Sequence, residues 1–84
     1  MRNRHSIYEP EDASQISNRM FLLWALEADL QTRDAFLDLV SGGRPFNRGR
    51  REITDQLVGL WKCLPRSRQD LFFRFAVADL DKAA

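Results

Sequence analysis

The sequence predicts a small all-α protein, a four-helix bundle with a helix-turn-helix-like middle, on three observations. Apolar residues recur every three or four positions in four successive stretches, the spacing that lines one side of a helix. Alternation of apolar and polar residues, the mark of a half-buried strand, never persists. The stretches are separated by residues that end helices, Gly42-Gly43 and Pro65. Eighty-four residues make one domain and no more. Its small core must be dense, and the two Trp and six Phe supply the volume.

Residues 1–12 lack periodicity and hold Arg2, Arg4, His5, Glu9, Pro10, Glu11 and Asp12, so they read as a flexible arm, with Ile7 and Tyr8 able to dock. The helical domain is then 13–84. Asp12 to Gln15 has the spacing of a capping box, in which side chains satisfy the first free backbone N–H groups of a helix. A first helix is expected from about Ala13 to Leu30. At about 100° per residue, Ile16, Met20, Leu23, Leu26 and Leu30 share one stripe, with Phe21, Ala25 and Ala28 roughly opposite and Trp24 between. Such a helix is apolar nearly all round, and must be central or covered by a partner.

Thr32 is placed to cap a short second helix, Arg33 to Ser41, with Phe36, Leu39 and Val40 inward. Gly42-Gly43 ends it, and Asn47 is placed to cap a third helix from about Arg48 to Leu64. There Ile53, Leu57, Leu60 and Leu64 form the buried stripe, with Trp61 at its edge. Ser67 to Asp70 resembles a second capping motif and opens a fourth helix to about Asp81. Asp70, Arg74 and Asp81 lie on one narrow polar stripe; apolar residues fill the rest.

Composition bounds the function. The chain is 44% hydrophobic and 30% charged, as in a folded globular domain. The net charge of +1 hides an asymmetry. Residues 1–43 hold four arginines against seven acids, and residues 44–84 nine basic residues against five acids. Cys63 is the only cysteine, so no internal disulfide forms, which agrees with a reducing, cytoplasmic location. The apolar run Met20–Leu26 is too short to span a bilayer, so no membrane association is expected.

Catalysis is not expected either. The single histidine, His5, falls in the arm, whereas a catalytic base must be held rigidly. Cys63 stands beside Lys62 but has no rigid histidine partner. One Cys and one His do not make a zinc site, and the glycines at 42, 43, 49 and 59 fit no nucleotide-binding loop. The reading is a non-enzyme without metal, cofactor or small-molecule substrate.

Two signals point to macromolecules. The short helix, glycine turn and longer helix over 32–64 fit a helix-turn-helix unit. Arg44, Arg48, Arg50 and Arg51 cluster at the start of its second helix, where such arginines contact phosphates or guanine edges. Glu52 and Asp55 lie among them and would repel phosphate, so DNA is the less favoured partner and a small DNA-binding repressor is the alternative reading. The other signal is surplus apolar surface. Phe21 and Trp24 on the first helix and Phe72 on the fourth are expected to form an exposed protein-binding patch; in the competing reading they are core.

Within Phe21–Phe75 run Leu22-Leu-Trp-Ala-Leu-Glu-Ala-Asp29, then Thr32-Arg-Asp-Ala-Phe-Leu-Asp-Leu-Val-Ser-Gly-Gly43, then an arginine-rich helix. In pattern, length and helix order this stretch, about two-thirds of the chain, resembles a small variant helix-turn-helix domain. That domain occurs in proteobacterial regulators of integrative and conjugative elements, and its stand-alone members are similar to QseM-type quorum-sensing antiactivators. The resemblance implies a transcriptional regulator that sequesters a LuxR-type, TraR-like activator, or an activator of element excision, by protein contact. A second similarity, of Leu60–Phe75 to the DNA-binding region of sigma factors, is set aside because the reading helices would follow where this chain ends.

Overall fold

The computed structural model describes residues 4–44 and 49–83, the side chains of residues 4–12 excepted. The architecture is a small all-α bundle. Its elements are α1 (Arg4–Leu22), a π turn (Leu23–Glu27), α2 (Leu30–Val40), α3 (Arg51–Lys62) and α4 (Arg66–Ala83), with no strand among the described residues. α2 packs on α3 and α4, and α1 lies against α3 and, over a shorter length, α4.

Helix α1 starts at Arg4, inside the segment expected to be an arm, and runs through Pro10, so Asp12 lies within the helix and does not open it. The more consequential difference is at its other end. The helix does not continue to Leu30. It widens into a π turn closed by the Ala28 N–H on the Leu23 carbonyl at 2.9 Å, and the backbone then turns extended at Ala28. Met20, Trp24 and Ala28 take the core positions, whereas Leu26 and Leu30, expected on the buried stripe, are 75% and 52% exposed. Ala13, Ser17, Met20, Trp24 and Ala28 are buried at spacings of three and four residues, so the buried face already lies to one side of the expected stripe within α1 and carries on through the π turn.

Asp29, not Thr32, caps α2, accepting the Thr32 N–H at 2.8 Å. Thr32 is fully buried and accepts the Arg50 N–H at 2.6 Å, tying the entry of α3 to the first turn of α2. Gly49 makes that approach possible. Its φ is +56°, and a Cβ there would stand 2.6 Å from the Thr32 backbone. The end of α2 is as expected: Gly42, with φ +93°, donates to Leu39, and Gly43 donates to the Asp38 carbonyl at 2.7 Å. This pattern closes the free carbonyls of a helix C-terminus. The expected capping by Asn47 lies outside the described residues.

Helix α3 keeps its expected stripe, with Ile53, Leu57 and Leu64 buried and Leu60 partly so. Helix α4 opens at Arg66, just after Pro65, whose carbonyl accepts from Arg68 and Gln69. Gln69 also donates to the Trp61 carbonyl at 2.9 Å, fixing the α3–α4 corner. The core is aromatic: Trp24, Phe36 and Phe72 meet edge to face, with centroids 5.6 to 5.9 Å apart, an arrangement that puts ring edges against the negative ring faces.

Candidate protein-contact face

Burial separates the three residues expected on a contact surface. Trp24 and Phe72 are 1% and 2% exposed and form the centre of the core, so their place on a surface patch is corrected. Trp24 lies four residues after buried Met20, on the same face of the helix, and Phe72 fills the space between Trp24 and Phe36. Phe21 is 39% exposed, and its ring lies 4.8 Å from that of Phe75. Surplus apolar surface is present, but largely on residues that periodicity assigned elsewhere.

Two groups stand out on that surface, apart from the exposed Leu30, Leu39 and Val77. On the α1/α4 side, Phe21 and the half-exposed Phe75 join Leu71, one turn earlier on α4 and 62% exposed. On the outer side of α1, Leu22 is exposed and Leu26 follows it on the π turn. The uncharged run Met20–Leu26 sends Met20 and Trp24 to the core and leaves Phe21, Leu22, Ala25 and Leu26 outside. The run itself was the legible signal. Apolar spacing places Leu26 on the buried stripe and assigns no surface role to Leu22 or Leu71, yet all three are exposed.

The face is held by a polar network that periodicity could not reveal. Asp79 on α4 accepts the indole N–H of Trp24 at 2.8 Å and a guanidinium N–H of Arg33 at 3.1 Å. Arg33 also donates to the Trp24 carbonyl at 2.8 Å and stands 5.4 Å over the indole ring. Three elements are thus clamped around one indole: the π turn, α2 and α4. The Trp24 carbonyl accepts a side-chain donor just where the helical bonding pattern changes, which stabilises the turn.

Two arginines of the cluster, Arg50 and Arg51, stand beside acids. Arg50 lies 3.6 Å from Glu27 and 3.4 Å from Glu52, and Arg51 lies 3.9 Å from Asp55. Arg44 is exposed beyond the end of α2, and Arg48 lies outside the described residues. The acids noted beside the arginines therefore pair with them.

An open cleft of about 420 Å³ runs between the end of α2 and the start of α4, with Trp61, Gln69 and Phe73 among its walls. Among the described residues no three His, Cys, Asp or Glu side chains gather to hold a metal, and no helix is long and apolar enough to cross a membrane. Comparison with family models, curated proteins and solved structures returned no match.

Proposed function

We propose that this chain is a non-enzymatic, cytoplasmic regulator that sequesters a transcriptional activator through the Phe21–Leu71–Phe75 face. The observation that carries the reading is the contiguous exposed apolar surface across α1 and α4. Soluble domains rarely leave such surface uncovered unless something docks there. The resemblance of Phe21–Phe75 to the domain of QseM-type antiactivators gives the partner class: a LuxR-type, TraR-like quorum-sensing activator or an excision activator of a conjugative element. The pairing of Arg50 and Arg51 with acids weighs against the DNA-binding repressor, because phosphate would have to displace Glu27, Glu52 and Asp55.

The test is co-expression with a TraR-like activator that drives a reporter. The chain should silence the reporter and co-purify with the activator, and Leu71→Ser should lose both effects while remaining folded. Silencing that persists in Leu71→Ser, or that requires the chain itself to occupy the promoter, would turn the reading toward the repressor.

A further inference from the structure

We propose that the α4 side of this face takes an amphipathic helix whose apolar stripe is flanked by acidic residues. The inference rests on the docking role proposed above and adds the chemistry of the occupant. At about 100° per residue, Leu71, Phe75, Ala78 and Lys82 fall within one narrow arc of α4, all exposed. Phe21 adds its ring at 4.8 Å from Phe75 and closes the gap between the two helices. The result is a ridge along α4, the shape against which a second helix lays its own apolar stripe.

The charges nearest that ridge are cations, with the acids Asp70 and Asp81 set behind Arg74. Arg68 precedes Leu71 by one turn, Arg74 borders the arc and Lys82 ends it. None of the three forms an ion pair among the described residues, unlike Arg33, Arg50 and Arg51. Three cations beside an apolar strip steer and orient a partner that carries acids beside its own apolar stripe. An anionic lipid surface would match the same cations. It is planar, however, and would also meet Asp70 and Asp81, which share the outer side of α4 beyond Arg74. A helix about 10 Å wide can lie along the cationic rim without covering those acids.

The experiment uses the full chain and two synthetic 20-residue helical peptides with leucines at i, i+3, i+4 and i+7. One carries glutamates beside the leucines and the other lysines, and binding is read by fluorescence anisotropy. The glutamate peptide should bind about tenfold tighter at low salt, since each exposed ion pair contributes roughly a factor of two. The preference should shrink as salt screens it. Replacing Arg68, Arg74 and Lys82 together with Glu should reverse the preference, while Leu71→Ser should weaken both peptides without changing the melting temperature. Equal binding of the two peptides would overturn the acidic-flank inference and leave the docking role standing. Failure of both peptides would count against the inference and the docking role together. Binding to phosphatidylglycerol vesicles in preference to either peptide would assign the face to a membrane, and a Leu71-dependent dimer in sedimentation would assign it to a second copy; either result overturns the proposal.

Discussion

Replacing Asp79 with Ala tests whether the clamp around Trp24 holds the fold. The substitution removes the acceptor for the Trp24 indole N–H, whose ring is 1% exposed, and the counter-charge of Arg33, whose side chain is 19% exposed. A hydrogen bond to a charged group contributes about 1.5–3 kcal/mol. Asp79 itself is one-third exposed, so water replaces part of what is lost. The two contacts together should be worth about 2–3 kcal/mol, below the sum of two fully buried bonds. For a domain of this size each kcal/mol moves the melting temperature by roughly 4–8 °C. The expected fall is therefore about 10–20 °C, read by circular dichroism melting and checked by urea titration. Asp79→Asn keeps an acceptor for the indole and loses only the charge, so it should cost about 1 kcal/mol. A double-mutant cycle with Arg33→Leu should show coupling of similar size. An Asp79→Ala protein that melts within about 2 °C of the parent would refute the clamp.

Leu57 is fully buried at the centre of α3, and Leu57→Ala should cost about 2–5 kcal/mol in urea unfolding. The two glycines flanking α3 and within it should respond in opposite directions. Gly59→Ala adds a methyl to open space and should stabilise by about 0.5–1 kcal/mol, whereas Gly49→Ala meets Thr32 at positive φ and should destabilise by more than about 1 kcal/mol. Asp29 is held below the usual carboxylate range by hydrogen bonds from the Thr32 hydroxyl and then the Thr32 backbone N–H. Its folded pKa is below its unfolded one, so its stabilising effect is complete above the unfolded value and is lost as pH falls through the folded one. Between about pH 5 and about pH 3 the parent should lose more melting temperature than Asp29→Asn, which caps without titrating; equal losses would show that the cap does not carry the acid sensitivity.

The four helices and the α3 core were legible because their apolar spacing is regular and their stop signals are strong. Ile53, Leu57 and Leu64 are buried as read, and Gly42-Gly43 ends α2 as read. The site was legible only as a surplus. The run Met20–Leu26 announced more apolar surface than one helix face can hide, but it did not announce which side turns inward. That choice is made by long-range contacts around Trp24, among them the Arg33–Asp79 pair, which is 46 residues apart in sequence. A wheel shows that the run is apolar on two sides without choosing between them, and a single aspartate on α4 gives no local sign of a partner on α2. Trp24 and Leu26 consequently exchange roles, the tryptophan moving to the core and the leucine to the surface.

The most direct measurement is the affinity of the purified chain and of Leu71→Ser for a TraR-like activator by isothermal titration, with both melting curves recorded alongside. Leu71 is 62% exposed, so its replacement should leave the melting temperature nearly unchanged. If the α1/α4 face is the contact, affinity should fall at least about 30-fold, the loss of about 2 kcal/mol that marks an interface anchor. Unchanged affinity in Leu71→Ser, with loss on Arg50→Ala and Arg51→Ala instead, would contradict the account and place the contact at the start of α3.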